Sequence, residues 1–515
     1  MFFLWSAESV GTLRFDGSSW ASSSSRSKGR WESASTRHIE IPDFPAVGST
    51  PRKLNCIAWR NTGGCSPNGQ REPLKDRNCS DIVPSGASGY CEVEDVHTGE
   101  HFRVMQRHCN SIRNGGRFRC SDALNFVDFQ VQTHKTIEAA LAPNFSLPNV
   151  NRSKSVARDG IVMVVYPKLL PSAYATIRVL RDVMGCRLPI EIWFRPDEML
   201  PDNAVLAPLR HLSALGDDIT FQEIQDPLAR RFVSKVYAIY HSAFDRVLFL
   251  DADNVPTRDP SYLFEDPEFV KTGAIFWPDF WHPSNTMFNI HKDSLLWQLL
   301  DTPFVDMFEQ ESGQLLVDRR RHAAALELVR FYAFHRPDLF SEMKLVWGDK
   351  DLYRLAWLKL GIPFHMIQTP PGMVGVLVKK GGGVDFCGMT MAQYDTNGTL
   401  LFLHRNHQKL VGGKLSPSAQ AQASDSNITT ESPEDTYPDP GIWTHMVSFR
   451  KGSNLREYVV EGFSADLSFQ KSHRCYGRRD VYSSSHFEVQ EVADLEFFGL
   501  ETHLRHLAAE SSQFT

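Results

Sequence analysis

A surplus of positive charge is missing from this sequence. It carries 55 Lys and Arg against 61 Asp and Glu, for a formal net charge of −6. Nucleic-acid binding leaves a basic footprint, so that class of partner is not indicated. Long apolar runs are missing too. None approaches the roughly 18–20 residues needed to span a bilayer, and no membrane anchor is visible. The opening MFFLWSAESVGTLRF has a brief apolar stretch with no basic residue before it and reads poorly as a signal peptide. No CxxC pair is present, and His101 and His108 lack zinc-finger spacing, which argues against a zinc module. The glycine-rich KKGGGVDF lacks the GK[ST] of a phosphate loop.

Cysteine, by contrast, is concentrated. Cys56, Cys65, Cys79, Cys91, Cys109 and Cys120 fall in one polar, Gly-rich stretch. Six cysteines so placed predict three disulfides, with 15 possible connectivities, and an oxidising compartment. Cys186, Cys387 and Cys475 are scattered, and the odd total leaves at least one thiol unpaired or bonded to another chain. N-glycosylation acceptor triplets at Asn78, Asn144, Asn151, Asn397 and Asn427 fit a secretory-pathway protein.

The composition shifts along the chain in six steps. Residues 1–50 are Ser-rich, lack periodicity and read as disordered. Residues 51–125 form the Cys-rich module, in which disulfides supply what a small core cannot. Its aromatics Trp59, Tyr90 and Phe102 could line a sugar platform or simply fill that core. Residues 126–157 read as a linker with a short helical piece. Residues 158–411 form the main domain. Residues 412–440 are a low-complexity loop, and residues 441–515 a short α/β extension.

Within the main domain, IVMVVY (161–166) is a continuous apolar run suited to a strand buried on both faces. SAYATIRVLRDVMG reads as a helix, IEIWF as a strand, DITFQEI as a third strand. Residues 226–244 read as a helix, with Asp226 its N-cap and Pro227 its first residue. VLFL (247–250) and GAIFWPDFW follow as strands. This alternation predicts an α/β fold with a mostly parallel sheet covered by helices.

VLFLDADNVPTRDP (247–260) ends an apolar run in two carboxylates one residue apart. Side by side they repel unless something positive sits between them. In an open α/β sheet ligands bind beyond the carboxyl ends of the strands, where Asp251 and Asp253 stand. Such a pair suits a hard divalent cation, Mn²⁺ or Mg²⁺, whose shell a substrate diphosphate completes. An EF-hand fails, because Pro256 and Tyr262 stand where Gly and Glu are needed. A haloacid-dehalogenase-type phosphatase with Asp251 as nucleophile remains an alternative. In that family the D-x-D strand usually opens the domain, whereas here roughly ninety residues precede it.

KVYAIYHSAFDRVLFLDADNVPTRDPSYLF, then GAIFWPDFW, ESGQLLVD, WGDKDLYRLAW and FLHRNHQKL resemble in order the fungal-type α-mannosyltransferases of glycosyltransferase family 71. The resemblance runs over about residues 158–410. It implies a GT-A type, Rossmann-like nucleotide-sugar transferase domain. It also implies retaining transfer of α-mannose from GDP-mannose to a mannoside or glycoprotein acceptor, and residence in the Golgi, where family members have an N-terminal anchor. A relative whose donor site has decayed would instead be a non-catalytic glycan-binding protein. Under this resemblance Asp251, Asp253 and His404 would hold the metal. Lys235, Asn254, Trp277 and Asp279 would contact the donor, with Trp277 stacking on a sugar. Glu311, Ser312, Gly313 and Gln314 read as a polar loop that could hydrogen-bond the transferred mannose. Asp349 and Asp351, just before a helix, could cap it, position the sugar or act in catalysis.

Overall fold

The alternation of apolar runs in residues 159–318 becomes six strands of a seven-stranded sheet. The computed structural model describes residues 41–45, 52–150, 155–199, 204–413 and 437–514. The Ser-rich residues 1–40 and 414–436 of the low-complexity loop lie outside the described residues. Among the described residues of the unit Pro42–Thr515 there are three sheets.

The first is small and antiparallel, β1 (Leu54–Thr62), β2 (Ser88–Asp95) and β3 (His101–Arg107) in that order. Cys56–Cys79, Cys65–Cys109 and Cys91–Cys120 staple it. Its aromatics Trp59, Tyr90 and Phe102 are buried, so they are core and not a sugar platform.

The central sheet uses β4 (Asp159–Val165), β5 (Ile190–Phe194), β6 (Ile219–Glu223), β7 (Arg246–Leu250), β9 (Ala274–Pro278), β10 (Gln310–Asp318) and β11 (His365–Met366). Their order is β11-β9-β10-β7-β4-β5-β6. Only β10 runs against its neighbours. The continuous apolar runs are explained by burial on both faces. Val247 and Phe249 of β7 join one core, and Leu248 and Leu250 the other. One face is covered by the helices Ala123–Ala140, Val233–His241, Ala323–Phe334 and Leu352–Leu360, together with the Cys-rich sheet. The other is covered by the helices Leu170–Arg178 and Ala207–Ala214. This is the GT-A type α/β arrangement that the resemblance implies, with a mostly parallel sheet and the disulfide-rich segment before it.

The third sheet is antiparallel. It takes β12 (Gly372–Lys380), β13 (Gly383–Tyr394), β15 (His445–Phe449), β16 (Glu461–Leu467), β17 (Gln470–Arg478) and β18 (Phe487–Glu491) in the order β16-β17-β13-β12-β15-β18. A fourth disulfide, Cys387–Cys475, joins β13 to β17, and Cys186 is the buried free thiol. The sequence left those three cysteines unassigned because their spacing carries no pattern. β14 (Leu400–His404) pairs on one side with β13 and on the other with β8 (Asn254–Pro256), which follows the D-x-D directly.

Several local expectations are corrected. The helix expected over 226–244 begins only at Val233, because Arg231 takes a left-handed φ of 54° that interrupts the helical path. Asp226 caps a turn instead, accepting from the Leu228 N–H. The stretch expected as a linker opens with an 18-residue helix whose Phe126, Phe129 and Val131 are buried. The polar stretch Glu311–Gln314 is not a loop. It lies in β10, where the ladder to β9 breaks between Glu311 and Leu315.

Candidate active site

The chain runs β4, β5, β6 to one side of the sheet and then returns as β7 on the other side of β4. The carboxyl ends of β4 and β7 therefore flank a topological switch point, the crevice where α/β sheets bind ligands. Asp251 follows β7 at this point. Its N–H donates to the Gly313 carbonyl at 2.8 Å, which ties the D-x-D turn to β10.

One strand pairing assembles the cluster. The β8–β14 ladder sets His404 opposite Asn254. His404 Nε2 then lies 3.7 Å from Asp251 Oδ2 and 3.5 Å from Asp253 Oδ1. One ligand atom from each of these three residues falls within 4.8 Å of the others. Gly313 makes this approach possible, since a Cβ there would stand 2.4 Å from His404 Nδ1. Two hard carboxylate oxygens and an imidazole form a donor set suited to Mn²⁺ or Mg²⁺.

Each carboxylate also has its own ammonium group. Lys235 Nζ lies 2.7 Å from Asp251 Oδ2, and Lys409 pairs with Asp253. Burial opposes the charge on Lys235, but Asp251, Asp349 and Glu311 together outweigh it and the ammonium is held above its ordinary range. Two lysines already balance two aspartates. A dication that arrived alone would leave the cluster strongly positive, whereas one accompanied by a diphosphate would not.

A second buried network adjoins the first. Lys350 Nζ lies 2.7 Å from Glu311 Oε2 and 2.8 Å from Asp279 Oδ2. Burial disfavours the charge on Glu311, yet Lys350 and His404 overcome it and hold that carboxyl well below the usual range. At Asp279 burial wins over Lys350, and the carboxyl is pushed up to about 6. Asp349 is pushed up to about 6 by burial, partly offset by Lys235, and accepts from Ser312 Oγ at 3.2 Å. Asp351 accepts from the Gln310 N–H at 3.0 Å and pairs with the buried Arg354. Neither aspartate caps the following helix with its side chain. Glu309 is pushed up to about 8, first by burial and then by the charge of Asp351.

Lys235, Asp251, Asp279, Glu311, Ser312, Asp349, Asp351 and His404 line one cavity of about 430 Å³. Five predicted residues do not line it: Asp253, Asn254, Trp277, Gly313 and Gln314. Asp253 is buried beneath the wall, held by His404 and Lys409. Trp277 is fully buried and its indole N–H donates to the Tyr394 carbonyl at 2.7 Å, so it cannot stack on a sugar. Asn254 and Gln314 are buried and bonded to each other, with Asn254 also donating to the Gly313 carbonyl. They brace the turn and do not face the cavity. Gly313 acts by being small. Lys350, Lys409, Glu309 and Arg113 are among the wall residues that went unassigned in the sequence. Lys350 and Lys409 sat inside motifs already quoted, GDKD and FLHRNHQKL. Glu309 and Arg113 had no signal, because burial and a distant chain contact define them.

Among the described residues no helix is long and apolar enough to cross a membrane. Residues 158–395 match the family model described as "Mannosyltransferase putative". The chain is 29% identical over 275 residues to alpha-1,2-mannosyltransferase MNN2 of Saccharomyces cerevisiae, covering 46% of this chain and 45% of that protein. It is 28% identical over 270 residues to alpha-1,2-mannosyltransferase MNN24 of Candida albicans, covering 46% and 38%. The chain thus spans less than half the length of these relatives. Among solved structures it is similar to the mannosyltransferase Ktr4p from S. cerevisiae at 12% identity, covering 44% of this chain and 74% of that one, with a TM-score of 0.29. It is also similar to the galactosyltransferase LgtC at 15% identity, covering 40% and 72%, with a TM-score of 0.29. The resemblance carried by LFLDADNV and its companion motifs is therefore matched independently, and the domain of residues 158–395 is related to the fungal-type α-mannosyltransferases.

Proposed function

We propose that this protein transfers α-mannose, with retained configuration, from GDP-mannose to a mannoside or glycoprotein acceptor. The observation that carries the reading is the convergence of Asp251, Asp253 and His404 at the sheet's switch point, in a domain related to mannosyltransferases. Asp251, Asp253 and His404 would hold Mn²⁺, with Mg²⁺ as the alternative. When bound, the ion supplies positive charge against the leaving nucleoside diphosphate.

The chain's own groups do the rest. Lys235 and Lys409 are placed to exchange their aspartate partners for phosphate oxygens. Glu311, Lys350 and Asp279 form a fixed floor that can accept hydrogen bonds from sugar hydroxyls and donate to them. Asp349, half-released from ionisation by burial, offers a carboxylate where oxocarbenium character must be stabilised in retaining transfer. Asp351, anchored by Arg354 and the Gln310 N–H, positions the turn that presents Asp349. The four disulfides support an oxidising compartment, and we assign the Golgi lumen within the secretory pathway. The phosphatase alternative is not favoured, since the matched domain places three strands of the parallel sheet before the D-x-D.

The test is direct. The purified full chain, given GDP-mannose and an α-mannoside, should form a disaccharide product, lose activity in EDTA and recover it with Mn²⁺. Release of phosphate from phosphomonoesters in place of transfer would favour the phosphatase. Failure to bind GDP with Mn²⁺ would leave only a glycan-binding role.

A further inference from the structure

We infer that Arg113 of the Cys-rich module, together with Trp347, Phe232 and Phe288, forms the acceptor subsite, and that its occupant is a neutral oligomannoside. The inference rests on the transferase reading above and extends it to a segment outside the matched family domain.

Four observations carry it. First, Trp347 is 51% exposed and Phe232 43% exposed, although most large apolar side chains here are buried. Their ring centroids lie 6.1 Å apart, and Phe288 stands 5.7 Å from Trp347. All three line the cavity that holds Asp349. Phe288 is itself buried and backs the two exposed rings. A pair of exposed aromatic rings at a cavity mouth marks a binding surface. The faces of a pyranose ring carry C–H groups that pack on aromatic rings, while its hydroxyls stay free to bond.

Second, the Arg113 guanidinium sits 4.5 Å from the Phe288 ring centroid and lines the same cavity. Among the described residues it forms no ion pair and no side-chain hydrogen bond. Its N–H groups are therefore available to hydroxyl oxygens beside the aromatic face.

Third, the placement of Arg113 is built. Asn289 Nδ2 donates to the carbonyls of Asn110 at 2.8 Å and Ile112 at 3.1 Å. Ser111 Oγ donates to the Asp293 carbonyl at 2.6 Å, and the Arg117 N–H to the Glu342 carbonyl at 2.8 Å. Cys65–Cys109 ties the start of this loop to the module. This disulfide and the hydrogen bonds around it thus hold one arginine at the reaction cavity.

Fourth, Trp347 and Asp349 share one short turn. Gly348 between them has a φ of 60°, and a Cβ there would meet the Phe232 ring at 2.7 Å. A sugar packed on Trp347 is thereby referenced to the Asp349 carboxylate two residues away. On this reading the nucleotide takes the switch point at the carboxyl end of β4, where Tyr166 follows that strand.

The experiment measures two bindings separately in the full chain, α-mannobiose by saturation-transfer NMR and GDP with Mn²⁺ by calorimetry. Arg113→Ala and Trp347→Ala should each weaken mannobiose binding roughly tenfold, as loss of a hydrogen-bond donor or an aromatic face does. GDP binding should stay unchanged. Trp347→Phe, which keeps an aromatic face and guards against misfolding, should retain most of the affinity. In turnover the variants should raise the acceptor KM and leave the donor KM alone. Unchanged mannobiose affinity in both alanine variants, equal weakening of GDP, or no mannobiose binding by the parent protein would overturn the inference. Mannobiose binding without any GDP binding would support the subsite while refuting the proposed donor.

Discussion

Two pairs of aspartates in this protein share the same i, i+2 spacing and meet at one site, where Asp251, Asp349 and Asp351 line the cavity and Asp253 is buried beside it, yet the fold treats them differently. Asp251 and Asp253 end a buried strand, meet His404, and each carries a lysine partner. Asp349 and Asp351 lie in a turn before a helix, and only Asp351 is locked to a buried arginine. Asp349 is bonded to Ser312 and is kept closer to neutrality by burial. Spacing alone assigns both pairs to the same chemistry. Their neighbours assign the first pair to charge exchange with a ligand, and split the second into a reacting carboxylate and a structural one.

The largest expected effect tests the first pair. Asp253→Ala should lower turnover by roughly 1000-fold or more, as loss of preorganised transition-state charge does. It should also weaken GDP binding only when Mn²⁺ is present. Equal weakening without metal, read by calorimetry, would mean that Asp253 serves the lysines alone. The second test divides the other pair. Asp351→Asn leaves the buried Arg354 guanidinium without its anion and should destabilise the fold by about 3–5 kcal/mol in urea unfolding. Asp349→Asn should leave stability within about 1 kcal/mol and GDP binding intact while turnover collapses. The reverse pattern would exchange the two roles.

The smallest effect concerns Glu309, whose carboxyl Asp351 helps push up to about 8. The folded state then holds a proton that the unfolded state, with an ordinary carboxyl, has already lost above roughly pH 4–5. Stability from this group is fully present at low pH and falls as pH rises towards about 8. Glu309→Gln should therefore flatten the decline of stability between pH 5 and 8, measured by melting temperature. An unchanged slope would show that Glu309 is ionised despite its burial.

The sequence by itself determined the strands, because runs such as IVMVVY and VLFL can only be satisfied by burial on both faces. It determined that Asp251 and Asp253 end one of them, and that six clustered cysteines pair within their own segment. It overestimated the helix before β7, where a left-handed Arg231 intervenes, and it read as a loop the polar residues of β10. Trp277 looked like a ligand platform from its place in WPD, but the third sheet covers it completely. Only tertiary structure brought His404 to Asp251, through β8 pairing with β14 across about 150 residues of chain. Only tertiary structure carried Arg113 to Phe288, or set the Asp351 charge beside Glu309. Local pattern specifies which face of an element is buried. Distant pairings, and the loss of water they cause, decide which charged groups must share a site and what each can do there.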